Sequence, residues 1–252
     1  MNQIMNIDEF PMQMFPLGES AIRIELGTSI HPDIHRRVKR VTDYLDKHPF
    51  PGMIECVPAF TSVTVFYNPL QVRKLHIDDP ELKDQTCYEI ISTIIQRLAS
   101  RMNDTSSDQP RVVEIPVCYG GEFGPDLNVV AEHNGITPEE VIDIHAGGEY
   151  LVYMIGFAPG FPYLGEMSER IATPRRPSPR TSIPEGTVGI AGMQTGIYPI
   201  STPGGWQLIG RTPLRLFRPH EHPPSLLQSG DIVKFRSISQ EEYESYRGAN
   251  CR

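Results

Sequence analysis

No apolar run in this sequence approaches the ~20 residues that cross a bilayer as a helix. Its first residues also lack the charged-then-apolar order of a secretory signal. Cysteine is sparse: Cys56, Cys87, Cys118 and Cys251 are scattered without a Cys-x-x-Cys pair, which excludes both a disulfide scaffold and a zinc-site spacing. We therefore expect reduced thiols in a soluble, cytoplasmic chain. Basic charge is in deficit, 23 Lys and Arg against 31 Asp and Glu, for a net charge of −8. That balance argues against a nucleic-acid partner held by phosphate attraction, and no membrane partner is expected.

Complete catalytic signatures are missing as well. There is no Gly-x-x-x-x-Gly-Lys-Ser/Thr phosphate loop, no Gly-x-Ser-x-Gly nucleophile turn and no His-Glu-x-x-His helix. The glycine-rich segment Gly186 to Gly192 precedes no credible helix, so it reads as tight strand connections and not as a dinucleotide loop. His220-Glu221-His222 sits among Pro219, Pro223 and Pro224, which suits a surface loop; with no third or fourth ligand evident, no metal is expected. His133 and His145 fall at predicted helix ends, where a cation complements the dipole. Glu122, Asp126 and Glu185 are candidate acids or bases that only burial and neighbouring charge can distinguish.

What is present divides the 252 residues in two. Residues 1–104 alternate strand and helix patterns. Met12 to Phe15 and Ala21 to Leu26 read as strands, the latter with Ile22, Ile24 and Leu26 on one face. A helix follows with its stripe at Ile34, Val38, Val41 and Leu45, Pro32 in its first turn and Pro49-Phe50-Pro51-Gly52 stopping it. Met53 to Val57 and Ser62 to Tyr67 are two more strands, and Cys87 to Ser100 a second helix striped with Ile90, Ile91, Ile94, Ile95 and Leu98. The order ββαββα predicts a small antiparallel sheet with two helices on one face.

Residues 102–110 are polar and aperiodic, the expected linker. Residues 111–247 then form the second domain. It begins with a strand, Arg111 to Val117, and two short helices, Pro125 to His133 and Pro138 to Ala146, the second opened by a Thr137/Glu140 capping box. Beyond Gly147 the chain is strand and turn: Tyr150 to Ile155, Val188 to Ala191, Gly196 to Ile200, Gln207 to Ile209, Leu214 to Phe217 and Ile232 to Phe235. Many short strands with frequent turns predict a closed or nearly closed β-barrel in an α+β protein. A last helix starts after Ser239, which makes a second capping box with Glu242.

The densest chemistry lies between Tyr153 and Thr212. Gly156-Phe157-Ala158-Pro159-Gly160-Phe161-Pro162-Tyr163-Leu164-Gly165 is followed by Pro174-Arg175-Arg176-Pro177-Ser178-Pro179-Arg180, and then by Ser201-Thr202-Pro203-Gly204-Gly205-Trp206-Gln207. Glycine permits close backbone approach, proline pre-sets loops, the aromatics form apolar walls, and arginine forks meet anions. Such a pocket suits a small amide or carboxylate. Each residue taken singly also has a plain structural reading as turn, core or solvated loop.

These blocks, with Ile115-Pro116-Val117-Cys118-Tyr119-Gly120-Gly121 and Gly124-Pro125-Asp126-Leu127 upstream, resemble the family of bacterial 5-oxoprolinase B subunits, also called allophanate hydrolase subunit 1-like. Pro16-Leu17-Gly18-Glu19 and Val57-Pro58-Ala59-Phe60-Thr61-Ser62 extend the resemblance over nearly the whole chain. It implies a cyclophilin-like barrel behind a smaller α/β domain. It also implies a non-autonomous subunit that acts with subunits A and C to hydrolyse 5-oxoproline to glutamate, with ATP used by the assembled complex and not evidently bound by this chain alone. Phe157, Pro159, Gly160, Phe161, Tyr163, Arg180, Thr202, Pro203, Gly204, Gly205 and Trp206 are the motif positions expected to bind substrate or partner, with no catalytic residue assigned. Because the family includes the sporulation histidine-kinase inhibitor KipI, a sensor histidine kinase is the alternative partner, its dimerisation helices held in the groove. A biotin-dependent carboxyltransferase of a urea-amide pathway is a third implied role, although the chain has no Met-Lys biotinylation tetrapeptide.

Overall fold

The computed structural model describes residues 12–102 and 109–250. The chain divides into two compact units, Met1–Gln109 and Pro110–Arg252. The polar stretch expected as a linker lies for the most part outside the described residues, as does Cys251.

The first unit runs β1 (Gln13–Pro16), β2 (Ala21–Glu25), α1 (Pro32–Lys47), β3 (Met53–Pro58), β4 (Ser62–Tyr67), α2 (Pro69–Leu75) and α3 (Cys87–Ala99). Its four strands pair antiparallel in the order β1-β2-β4-β3. Register follows burial: Ile22 opposes Val65 and Ile24 opposes Val63, all four fully buried, while Arg23 between them is exposed. The stripes of α1 (Val38, Val41, Leu45) and α3 (Ile90, Ile91, Ile95) close over that face as one core. The order is thus ββαββαα. The extra helix α2 was not expected because it is too short to show a stripe: Val72 is its one buried residue, and it is specified by Asn68, which caps Gln71 N, and by Pro69 in its first turn.

The second unit runs β5 (Val112–Tyr119), α4 (Leu127–Asn134), α5 (Pro138–Ala146), β6 (Glu149–Ile155), β7 (Pro162–Leu164), β8 (Arg180–Ile183), β9 (Thr187–Ala191), β10 (Gln194–Ile197), β11 (Thr202–Gly204), β12 (Gln207–Arg211), β13 (Ile232–Ser237) and α6 (Gln240–Asn250). Seven strands close a barrel in the order β10-β7-β6-β13-β5-β12-β9, and β8 pairs with β11 as a separate ribbon. Closure leaves the barrel no free edge. All its pairings are antiparallel except β5 with β13, which run parallel from Val112–Ile232 to Val117–Ser237. Both expected capping boxes form, at Thr137/Glu140 and Ser239/Glu242. The expected strand Leu214 to Phe217 does not; Phe217 makes a single bridge to Ser225, and the loop after Pro213 otherwise leaves the sheet. β7, β8 and β11 were not anticipated, being only three or four residues long, with proline or glycine inside or next to each. Among the described residues no helix is long and apolar enough to cross a membrane.

His145 corrects an expectation. It is fully buried and stacked on Phe235 at 4.4 Å, not a cation at a solvated helix end. Its Nε2 lies 2.9 Å from Thr195 Oγ1, and its Nδ1 lies 2.8 Å from the Tyr119 hydroxyl. Since Thr195 donates its own proton to the carbonyl of Gly189, its oxygen accepts from Nε2–H, leaving Nδ1 to accept from Tyr119. Burial pushes the imidazole down to about 3, so the ring is neutral.

An unfolded chain protonates this histidine near pH 6.5, whereas the folded chain does not until about pH 3. Between those values the unfolded state holds one more proton, so stability falls as pH falls. Urea unfolding between pH 6.5 and 5 is expected to lose up to ~1.4 kcal/mol per pH unit from this group. His145→Gln, though less stable at every pH, should lack that component of the slope; an unchanged slope would show that the ring titrates in the fold.

Candidate functional site

The site region is held by one buried carboxylate. Asp126, 3% exposed, precedes α4 but does not cap it. Its Oδ2 accepts from Leu208 N at 2.8 Å and Arg180 Nη1 at 2.9 Å, and its Oδ1 from Arg180 Nη2 at 2.7 Å and Arg176 Nη1 at 3.1 Å. Four donors occupy the roughly four lone-pair positions that a carboxylate offers. No lone pair remains for taking a proton from substrate, so the candidate acid or base at Asp126 is an anchor. Its backbone adds a further bond, Asp126 N to Leu208 O at 2.8 Å. Together these contacts fasten the loop before α4, the arginine-bearing loop and β12.

The arginine loop carries the second layer. Arg176 N donates to Gly205 O at 2.7 Å, and Arg180 stands opposite Gly204 in the β8–β11 ribbon. Gly204 is required there because a β-carbon would stand 2.4 Å from the Tyr198 hydroxyl oxygen. Burial pushes that phenol up to about 12, against the lowering effects of the Trp206 amide and of Arg175 and Arg180, so it is a neutral hydroxyl.

Aromatic rings fill the space beside this ribbon. Phe161, 2% exposed, is the hub, meeting Phe157, Tyr163, Tyr198 and Trp206 edge-on at centroid distances of 5.4, 5.1, 5.3 and 5.5 Å. These are favourable quadrupole geometries. Arg175 lies over Trp206 at 6.0 Å. Phe157 stands apart from the buried rings: it is 63% exposed and holds φ at +67°, a left-handed conformation that a bulky residue rarely adopts. Gly160, at φ +81°, lets the same loop turn against Phe217, whose Cβ would be 3.0 Å from an added β-carbon.

The expected site residues thus separate into kinds. Phe161, Tyr163, Trp206, Gly204 and Arg180 converge on one structure. Gly205 meets it through its carbonyl, and Phe157 forms its exposed face. Pro159 and Pro203 are exposed, and Thr202 is half-buried at the start of β11, its hydroxyl making only a 3.5 Å approach to Pro203 O among the described residues. Arg180 was expected to meet a ligand anion; its fork is engaged by Asp126 instead. Tyr198 was missed, since a tyrosine after a glycine-rich strand carries no signal of the cluster it completes. His220 and His222 are exposed, and Glu221 pairs with Arg218 at 2.7 Å. Among the described residues no group of three or more histidine, cysteine or acidic side chains could hold a metal ion.

Residues 12–227 match the carboxyltransferase domain, subdomain C and D. The chain belongs to this family. It is 57% identical to the 5-oxoprolinase B subunit of Bacillus subtilis over 235 residues, covering 93% of this chain and 96% of that one. To the 5-oxoprolinase B subunit of Haemophilus influenzae it is 54% identical over 226 residues, covering 89% and 97%. The solved urea amidolyase of K. lactis is similar in fold, with a TM-score of 0.69 at 20% identity; the likeness covers 93% of this chain and 15% of that one. The family match spans both units described above, including the whole Tyr153–Thr212 region.

Replacing Asp126 by Asn would leave two guanidinium groups facing an amide that donates where they require an acceptor. Because those groups are still partly solvated, 35% and 25% exposed, the loss of folding free energy is expected at the low end for a broken buried pair, about 3 kcal/mol. Urea unfolding of Asp126→Asn measures it. A change within about 0.5 kcal/mol, the range of an ordinary surface substitution, would remove Asp126 as the anchor.

Proposed function

We propose that this chain is the B subunit of a cytoplasmic, ATP-dependent 5-oxoprolinase, converting 5-oxoproline to glutamate together with subunits A and C and inactive without them. The observation that carries the reading is the 57% identity to a 5-oxoprolinase B subunit across nearly the full length of both chains. In this reading the first unit is a small α+β domain and the second a cyclophilin-like barrel. The substrate or its activated intermediate lies against the exposed aromatic face formed by Phe157, Tyr163 and Arg175, backed by the Phe161–Trp206 cluster. Two features of that face favour a binding role over an acid-base role. The buried carboxylate behind it, Asp126, is saturated by donors, and the buried phenol of Tyr198 is neutral. The proton transfers and the phosphoryl chemistry of ATP then fall to the assembled complex.

Trp206 and Arg180 are poor probes of this face, because each also supports the fold. Phe157, exposed and at a loop tip, separates the two roles. In the three-subunit complex, ATP-dependent release of glutamate from 5-oxoproline is expected, and Phe157→Ala should lower kcat/KM about ten-fold, some 1.4 kcal/mol of transition-state stabilisation, with an unchanged Tm. An intact complex that releases no glutamate would overturn the assignment. Full activity of Phe157→Ala would move the substrate away from this face.

A further inference from the structure

A second cluster of arginines has a different character from the first. Arg211, at the end of β12, Arg215, in the loop that follows, and Arg247, on α6, line a cleft of about 290 Å³ together with Tyr243, Glu185 and Thr212. Three guanidinium groups against one carboxylate leave this cleft with two positive charges in a chain of net charge −8. Unlike Arg176 and Arg180, none of the three makes an ion pair among the described residues. Arg211 is oriented in advance: its guanidinium lies 5.7 Å over the Phe123 ring, and its Nε is buried without a partner among the described residues. Phe123 and Tyr243 pack together in a buried cluster with Cys118 and Ile238, so this support is rigid. Arg247 lies one helical turn after Tyr243, on the same side of α6.

The cleft adjoins another. A space of about 410 Å³ shares Leu214 and Arg215 with it and adds the apolar surfaces of Phe217 and Leu226. Arg218, also on this second wall, is neutralised by Glu221. The charged end and the apolar end are therefore joined at Arg215.

We propose that the Arg211–Arg215–Arg247 cleft binds the dianionic phosphate group of a small molecule. A phosphate group carries about 1.5 to 2 negative charges at neutral pH, close to what would neutralise the cleft, and its oxygens match guanidinium forks. The group comes either from free inorganic phosphate or from a phosphate ester whose organic body extends past Leu214 onto Phe217 and Leu226. This site is separate from the aromatic face, and its occupancy requires no partner subunit.

Isothermal titration of the purified full chain in a phosphate-free buffer of low ionic strength, with inorganic phosphate and with phenyl phosphate, tests it. Saturable binding of one equivalent is expected, weakened about ten-fold or more by Arg215→Gln and by Arg247→Gln, since each removes a charged donor. Both side chains are exposed, so both variants should fold, which an unchanged Tm verifies. Arg170→Gln, on an exposed arginine facing Glu140, should bind as the parent does. Tighter binding of phenyl phosphate would support the site and assign an ester as its ligand; equal binding would support it with free phosphate. No saturable binding of either probe would overturn the proposal. So would affinity unaffected by Arg215→Gln and Arg247→Gln, or lowered equally by Arg170→Gln.

Discussion

The architecture of the second unit depends on a charge placed where water does not reach it. Taking a carboxylate out of water costs several kcal/mol, and Asp126 recovers that cost only because two guanidinium groups and a backbone amide converge on it. None of these partners is a sequence neighbour. Arg176, Arg180 and Leu208 lie 50, 54 and 82 positions away. The arrangement is therefore all-or-none: an incomplete set of donors would leave an uncompensated buried charge, so the loop before α4, the arginine loop and β12 find their places together. A hydrophobic contact could have joined the same elements, but it would not have fixed their orientation.

That orientation shapes the aromatic face. The β8–β11 ribbon stands outside the barrel's closed hydrogen-bond network, and Arg180 lies at its end opposite Gly204. With the ribbon pinned, Tyr198 can occupy the space where a β-carbon of residue 204 would be, and the ring of Trp206 can meet Phe161 edge-on. The rigidity continues to the surface, where Phe157 holds a left-handed backbone against the side of Phe161. Strain of order 1–3 kcal/mol persists only where packing over-determines it. Here the buried cluster beneath supplies that packing.

The sequence was legible wherever a periodic pattern met a continuous surface. The stripes of α1 and α3, the alternation in β2 and the two capping boxes of the second unit each report a local contact, and each appears within a residue or two of its expected place. Legibility ended where the cause was non-local. β7, β8 and β11 are too short to show a period, and α2 buries a single side chain. The run Leu214 to Phe217 alternates as a strand does, yet it leaves the barrel after Pro213. His145 satisfied the rule for a helix C-terminus and is nevertheless neutral, because the ring faces the barrel core and not solvent. The motif residues around Gly204 and Trp206 were visible by their composition, but composition did not distinguish Arg180, which braces the fold, from an arginine open to a ligand.

That distinction bears on where charge is recognised. Arg180 closes its fork on a buried carboxylate within 3 Å, so its donors are spent inside the fold, although Asp126 is shared with Arg176 and the three groups keep one net positive charge. The aromatic face consequently presents rings, glycine backbone and the guanidinium of Arg175, which suits a flat, weakly charged group such as a lactam ring. At Arg211, Arg215 and Arg247, by contrast, no guanidinium makes an ion pair among the described residues, and Glu185 supplies the one carboxylate among the residues lining the cleft. Whether an arginine offers its donors to a ligand or spends them inside the fold thus depends on whether a carboxylate is buried beneath it.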